Sequence, residues 1–231
     1  MKSTRITLAI LAIVSAGGFA PSRAQASAII TTETFSAVNV TFSTIPNISA
    51  TDLAESATFT VAGTLHGASG AIGVLHDGVF PANGAAGSAV FSDTANLVFT
   101  LNFGAQANIT QINTYSSDSA GSNNRTPQVY TLQGSSDGTT FTTITNVSNN
   151  GGIHFNDSFA HSIGNSITDS SGTLGTYQYL RFNTLRLDNG IGTFLDEIDV
   201  VGSLVPEPSS VMLLSVGGLL LGRRMRRAGR P

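Results

Sequence analysis

The hydrophobic pattern of this chain falls into three parts. An apolar run, 6–20, follows Lys2 and Arg5 near the start. A second run, 211–222, lies near the end, before Arg223-Arg224-Met225-Arg226-Arg227. Between them, apolar residues come in short alternating runs separated by Gly, Ser, Thr and Asn, with no sustained helical period. Alternation with a period of two marks strands that bury one face. Strands are expected at 34–43, 58–64, 96–103, 109–115, 128–135, 140–145, 178–187 and 195–201. In the third, Leu97, Phe99, Leu101 and Phe103 share a face, and residues 104–108 are expected to form a turn. Leu180 and Phe182 should point together, as should Ile198 and Val200. Ser136-Asp137-Gly138 joins two of these runs, and Asp-Gly is a strong hairpin signal. Residues 82–88 and 116–124 read as polar or glycine-rich loops. Eight to ten strands of this kind predict an all-β fold, a jelly-roll β-sandwich.

The two terminal runs read as addresses rather than as parts of that fold. At the start, a basic segment, an apolar core and small residues at Ala24, Ala26 and Ala28 predict a cleavable signal peptide, 1–28, used by the Sec export machinery. Cleavage after Ala26 or after Ala28 satisfies the small-x-small rule. At the end, an apolar run about twelve residues long would make a helix of about 18 Å, against roughly 30 Å of bilayer hydrocarbon. That suits transient rather than permanent insertion, and the arginines would stay on the cytoplasmic side. Pro206-Glu207-Pro208, the apolar stretch and the cluster Arg223, Arg224, Arg226 and Arg227 together resemble the PEP-CTERM sorting signal, also catalogued as the ice-binding protein C-terminal motif. The resemblance covers 205–231. It implies export, cutting near the triplet by an exosortase, and a life at the cell surface or in the extracellular matrix.

With both signals set aside, the charge picture changes. The whole chain is formally −3, but eight of its eleven basic residues lie in the two signals. The body keeps Arg125, Arg181 and Arg186 against thirteen acids, a formal charge of −10. Such a surface repels nucleic acid and anionic lipid, and it is compatible with neutral glycans and divalent cations. The chain has no cysteine. An exported domain without disulfides takes its stability from its core and any bound metal.

A second resemblance covers 65–204, with 29–64 read as additional N-terminal strands. His76-Asp77-Gly78, then Asn102-Phe103-Gly104 with Ile109 and Ile112, then Ser135-Ser136-Asp137-Gly138 with Phe141, then Tyr179-Leu180-Arg181-Phe182 and Glu197-Ile198-Asp199-Val200-Val201-Gly202 resemble, in order, the motifs of a discoidin domain (factor V/VIII type C, galactose-binding-like). Phe141 stands where that family usually has tryptophan. The resemblance implies a non-catalytic, carbohydrate-binding β-sandwich. It also implies a structural Ca²⁺ held by the Asp-Gly loop and the closing strand, hence by Asp77 and Glu197; a solvated Glu197 and a turn-capping Asp77 is the plainer alternative. Ca²⁺ takes six to eight oxygens, which carboxylates and loop carbonyls can supply.

For a glycan the expected groups are Tyr115, Asn124, Arg125 and His154, in or beside polar loops, since sugar sites pair a ring face with a few fixed polar groups. Catalysis has little support. Gly134-Ser135-Ser136-Asp137-Gly138 formally matches a nucleophile elbow, but that motif needs a helix to follow, and Thr139–Thr145 is β-branched. The histidines show no metal-ligand spacing, and Asp196, Glu197 and Asp199 lack an arguable cleft. The expectation is a non-enzymatic surface protein that binds the cell's exopolysaccharide. A purely structural matrix protein is the first alternative and a polysaccharide-active enzyme the second.

Overall fold

The computed structural model describes residues 28–36, 52–78, 89–92, 96–117, 127–149, 161–185 and 193–206. Eight strands run in chain order: β1 Ala28–Ser36, β2 Thr58–Ala62, β3 Val98–Ser117, β4 Val129–Ser135, β5 Thr142–Ser148, β6 His161–Asp169, β7 Gly175–Thr184 and β8 Glu197–Leu204. A short 3-10 turn, Ile72–His76, is the helical element among the described residues. The fold is the expected all-β sandwich.

The long strand β3 organises it. Its first part, 98–102, pairs with β2 on one side and β7 on the other, and β7 continues to β4 and β5. Its last part, 112–117, pairs with β6, and 107–115 pairs with β8; β1 closes on β6. One strand therefore serves two leaves. Residues 104–108, expected to form a turn, lie inside β3 at the point where the chain doubles back from one leaf to the other. The register slips between Asn102 and Ala107, and Gly104 takes φ +76 while its amide bonds to Asn102 Oδ1 at 2.8 Å. A glycine accepts that conformation without a Cβ clash, so the strand bends and passes from one leaf to the other.

The core fills the space between the leaves. Phe99, Leu101, Leu132, Leu180 and Phe182 from one leaf meet Ile112, Ile167, Ile198 and Val200 from the other, all fully buried. These are the alternating positions of their strands, as the pattern requires. The β4–β5 hairpin forms around Ser136-Asp137-Gly138 as expected, with Gly138 at φ +73. Two strands differ from expectation. β1 starts at Ala28, six residues before the expected strand. β6 was not expected at all, because His161-Ser-Ile-Gly-Asn-Ser-Ile-Thr-Asp offers two apolar side chains. It pairs on both sides, and the burial of Ile163 and Ile167 comes from that position.

The sandwich has two distinct ends. At the loop end the chain departs at Ser117, Asn149 and Leu185 and returns at Pro127, His161 and Thr193. The flanks are tied together there: Gln128 Nε2 donates to Ser116 Oγ at 3.1 Å, and Asn149 N donates to Gln128 O at 3.0 Å. Thr193 Oγ1 donates to Val129 O at 3.0 Å and Leu185 O at 3.1 Å. At the turn end lie the bend of β3, the β4–β5 hairpin and the tight β6–β7 turn. Gln106 Nε2 donates there to Ser136 O at 3.0 Å, and Thr173 Oγ1 to Asn108 Oδ1 at 2.7 Å.

Candidate functional site

The outward face of β8 is as buried as its core face. Ile198 and Val200 point to the core, while Glu197 and Asp199, on the opposite face, are 0% and 1% exposed. The reading of Glu197 as a solvated strand residue is therefore wrong. Glu197 lies opposite Tyr115 and Asp199 opposite Asn113 on β3. A third carboxylate, Asp52, comes from the turn before β2, which bridges to Val201 and bonds through Leu53 N to Val200 O at 2.9 Å. Oxygens of Asp52, Glu197 and Asp199 lie within 4.8 Å of one another.

The hydrogen bonding of this trio is uneven. Asp52 Oδ1 accepts from Ala54 N and Val200 N, both at 2.8 Å, and its Oδ2 has no partner. Asp199 Oδ2 accepts from Tyr115 Oη at 3.0 Å, and its Oδ1 has no partner. Both oxygens of Glu197 are buried without a hydrogen bond; the Gly78 amide leans toward them without completing one. Two carboxylates are thus gripped by one oxygen and present the other, as metal ligands held by outer hydrogen bonds do.

Burial, followed by the charge of Asp199, pushes Glu197 up to about 9. Burial, followed by Asp52, pushes Asp199 up to about 7, and burial also raises Asp52. The other charges acting on the trio are the acids Glu55 and Asp77, with His76 helping Asp52 alone. Among the described residues, no ammonium or guanidinium is one of the main charges acting on them. Three ionised carboxylates buried this way are far uphill unless protons or a cation neutralise them. A Ca²⁺ bound to oxygens at about 2.3–2.6 Å spaces its ligands up to about 5 Å apart, so the donor set fits such an ion in chemistry and spacing.

The expected pair Asp77 and Glu197 is brought together in part. Asp77 follows the 3-10 turn and stands near enough for its charge to act on Glu197, but it is exposed and outside the trio. Asp52 and Asp199 were missed as partners. Asp199 was legible, since it sits two residues from Glu197 on one strand face. Asp52 was not, because its bond to Val200 spans 148 residues.

Of the residues expected to meet a glycan, Tyr115 is 2% exposed and spends its hydroxyl on Asp199, so its ring is closed to a sugar. Asn124, Arg125 and His154 lie outside the described residues, although the strands that flank them converge on the loop end. An aromatic column not anticipated from the sequence stands there: Phe194 stacks on Phe91 at 4.0 Å and Phe91 on His66 at 5.0 Å, with His66 exposed. Of the sorting residues, Pro206 is exposed two positions beyond β8, while Glu207, Pro208, Arg223, Arg224, Arg226 and Arg227 lie outside the described residues. Ala26 does too, and Ala28 is the first residue of β1.

No family model matches this chain, and no curated protein matches it. Among solved structures it resembles a chitosan-binding module of a chitosanase/glucanase from Paenibacillus sp. IK-5, at 21% identity and TM-score 0.44, over 65% of this chain and 98% of that one. It also resembles a Clostridium perfringens module solved with GalNAc-β-1,3-galactose, at 17% identity and TM-score 0.45, over 65% and 99%. A third is the family 32 carbohydrate-binding module of C. perfringens NanJ solved with galactose, at 12% identity and TM-score 0.44, over 65% and 97%. Likenesses of this size say nothing about the ligand of this chain.

Proposed function

We propose that this protein is an exported, non-catalytic glycan-binding module, held together by a Ca²⁺ ion and sorted through its C-terminal tail. The observation that carries the reading is how the domain distributes its chemistry. An exposed ring, His66, stands at the loop end, while the acid cluster is sealed beneath the surface. Paired carboxylates that cleave a glycosidic bond must reach substrate and water, and Glu197 and Asp199 reach neither. Loops gathered at one end of a rigid sandwich are the usual place for recognition. Asp52, Glu197 and Asp199 would hold the ion, which would supply charge neutralisation and tie the 52–57 turn to β8. The sequence resemblances add the discoidin-like glycan ligand, with Asn124, Arg125 and His154 in its loops, and the exosortase signal.

The test is binding of the purified domain, 27–205, to a glycan array that includes bacterial exopolysaccharides, with Ca²⁺ and with EDTA. Saturable binding is expected, weakened about tenfold or more by His66→Ala or Arg125→Ala, in line with the loss of one fixed contact in a small site. A folded domain that binds no glycan in either condition would leave the structural matrix reading standing instead.

A further inference from the structure

Both ends of the described domain emerge from its turn end. β1 enters there, with Ala28 opposite Asp169 beside the β6–β7 turn. β8 leaves there, with Leu204 opposite Ala107 and Val205 N donating to Gln106 O at 2.7 Å. The same Gln106 ties the β4–β5 hairpin to this end through Ser136. Among the described residues, three of the four exposed large apolar side chains, Ile29, Leu204 and Val205, lie at the two exits; Leu185 is the fourth.

The tether is short. Five residues, 206–210, separate Val205, the last residue described with a hydrogen bond, from the apolar run at 211, and a fully extended stretch of that length reaches at most about 17 Å. The nine residues of β6 span the sandwich and set its two ends roughly 30 Å apart. A lead of that length is too short to let the domain turn over above a bilayer.

We infer that the turn end is the membrane-facing surface of the tethered precursor, with Ile29, Leu204 and Val205 against the lipid headgroups and the loop end directed outward. This rests on the reading of 211–222 as a membrane-directed segment. It assigns the opposite poles of one domain to two partners, a lipid surface and an extracellular ligand.

The absence of cysteine gives a clean test. Ser136→Cys, exposed at the turn end, and Gly67→Cys, exposed beside His66 with open space at its Cβ, each accept one fluorophore. The labelled full-length chain is placed in vesicles carrying a headgroup-labelled acceptor lipid. A separation of roughly 30 Å makes transfer from position 136 at least about twofold stronger than from position 67. Equal transfer, or a stronger signal from 67, overturns the orientation while leaving the tail reading intact. Failure of the chain to co-float with vesicles overturns the tail reading, and the orientation with it. A flexible Gly-Ser insert of about twenty residues after Val205, reaching some 25 Å on average, should erase the difference between the two positions.

Discussion

Glu197 concentrates the energetics of this domain in one side chain. Its carboxyl is fully buried, has no hydrogen-bond partner and faces two further acids. Its pKa of about 9, with about 7 for Asp199, means that the folded chain holds these protons more tightly than the unfolded chain does. Metal-free stability is therefore expected to fall as pH rises, beginning near the ordinary carboxyl range of 3.8 to 4.5 and ending near 9. A Ca²⁺ held by Asp52, Glu197 and Asp199 would take the place of the protons, so it should stabilise strongly at pH 8 and hardly at all at pH 5. At a hundredfold excess over its dissociation constant the gain at pH 8 is about 2.7 kcal/mol, or roughly 5–10 °C for a domain of this size. Glu197→Gln removes the repulsion and the ligand together. It should raise the metal-free melting temperature at pH 8 and abolish the Ca²⁺ shift. Thermal melts at both pH values, with and without EDTA, check these points, and a wild-type melting temperature at pH 8 indifferent to Ca²⁺ would sink the metal assignment.

Among the elements, the apolar strands and the threonine-rich β5 were readable and β6 was not. The strands built on Phe99 and Leu101, on Leu180 and Phe182, and on Ile198 and Val200 were visible because alternate apolar residues are the physical requirement of a half-buried strand. β6 escaped because its burial is not driven by its own side chains. It lies between β1 and β3, and its neighbours are satisfied by polar groups from elsewhere. Gln128, just before β4, is the chief of these. It accepts from Thr114 Oγ1 at 2.7 Å, and its amide nitrogen reaches Thr114 O at 3.2 Å, Ser116 Oγ at 3.1 Å and Ile163 O at 3.4 Å. It therefore stitches the start of β4 in one leaf to β3 and β6 in the other. Gln128→Leu, similar in volume, strands those buried groups and should cost about 2–4 kcal/mol, read as a drop in the urea midpoint with an unchanged slope. At Gly104 the expected turn is the bend of β3; glycine marks that special backbone position, but its sequence neighbours do not say that the ladder with β7 resumes on the far side.

At the scale of the molecule, the exits of β1 and β8 lie at the opposite end from Ser117, Asn149 and Leu185, where the chain leaves the described sandwich. A mature chain starting at Ser27 keeps all nine residues of β1, whereas one starting at Ile29 loses the Ala28–Asp169 pair, so cleavage after Ala26 suits the fold better. Pro206 follows β8 after a single residue, which leaves a processing enzyme little slack next to the folded domain. Replacing Pro206-Glu207-Pro208 with three alanines should leave the fold unchanged and cause a longer, membrane-retained species to accumulate on an immunoblot. Normal processing of that variant would remove the sorting assignment.

The sequence alone determined what depends on neighbours along the chain. The apolar alternation and the Asp-Gly hairpin are local patterns, each carried within a few residues. Even the pairing of Glu197 with Asp199 on one strand face follows from the period of two. The tertiary structure alone decided what depends on residues far apart. It brought Asp52 to Val200 and so turned two strand carboxylates into a trio. It closed Tyr115 to solvent by setting it against Asp199, and it brought the start of β1 and the end of β8 to the same end of the sandwich. Burial, and with it the proton affinity of a carboxylate, is set by whichever segment packs over it, and no local pattern encodes that partner.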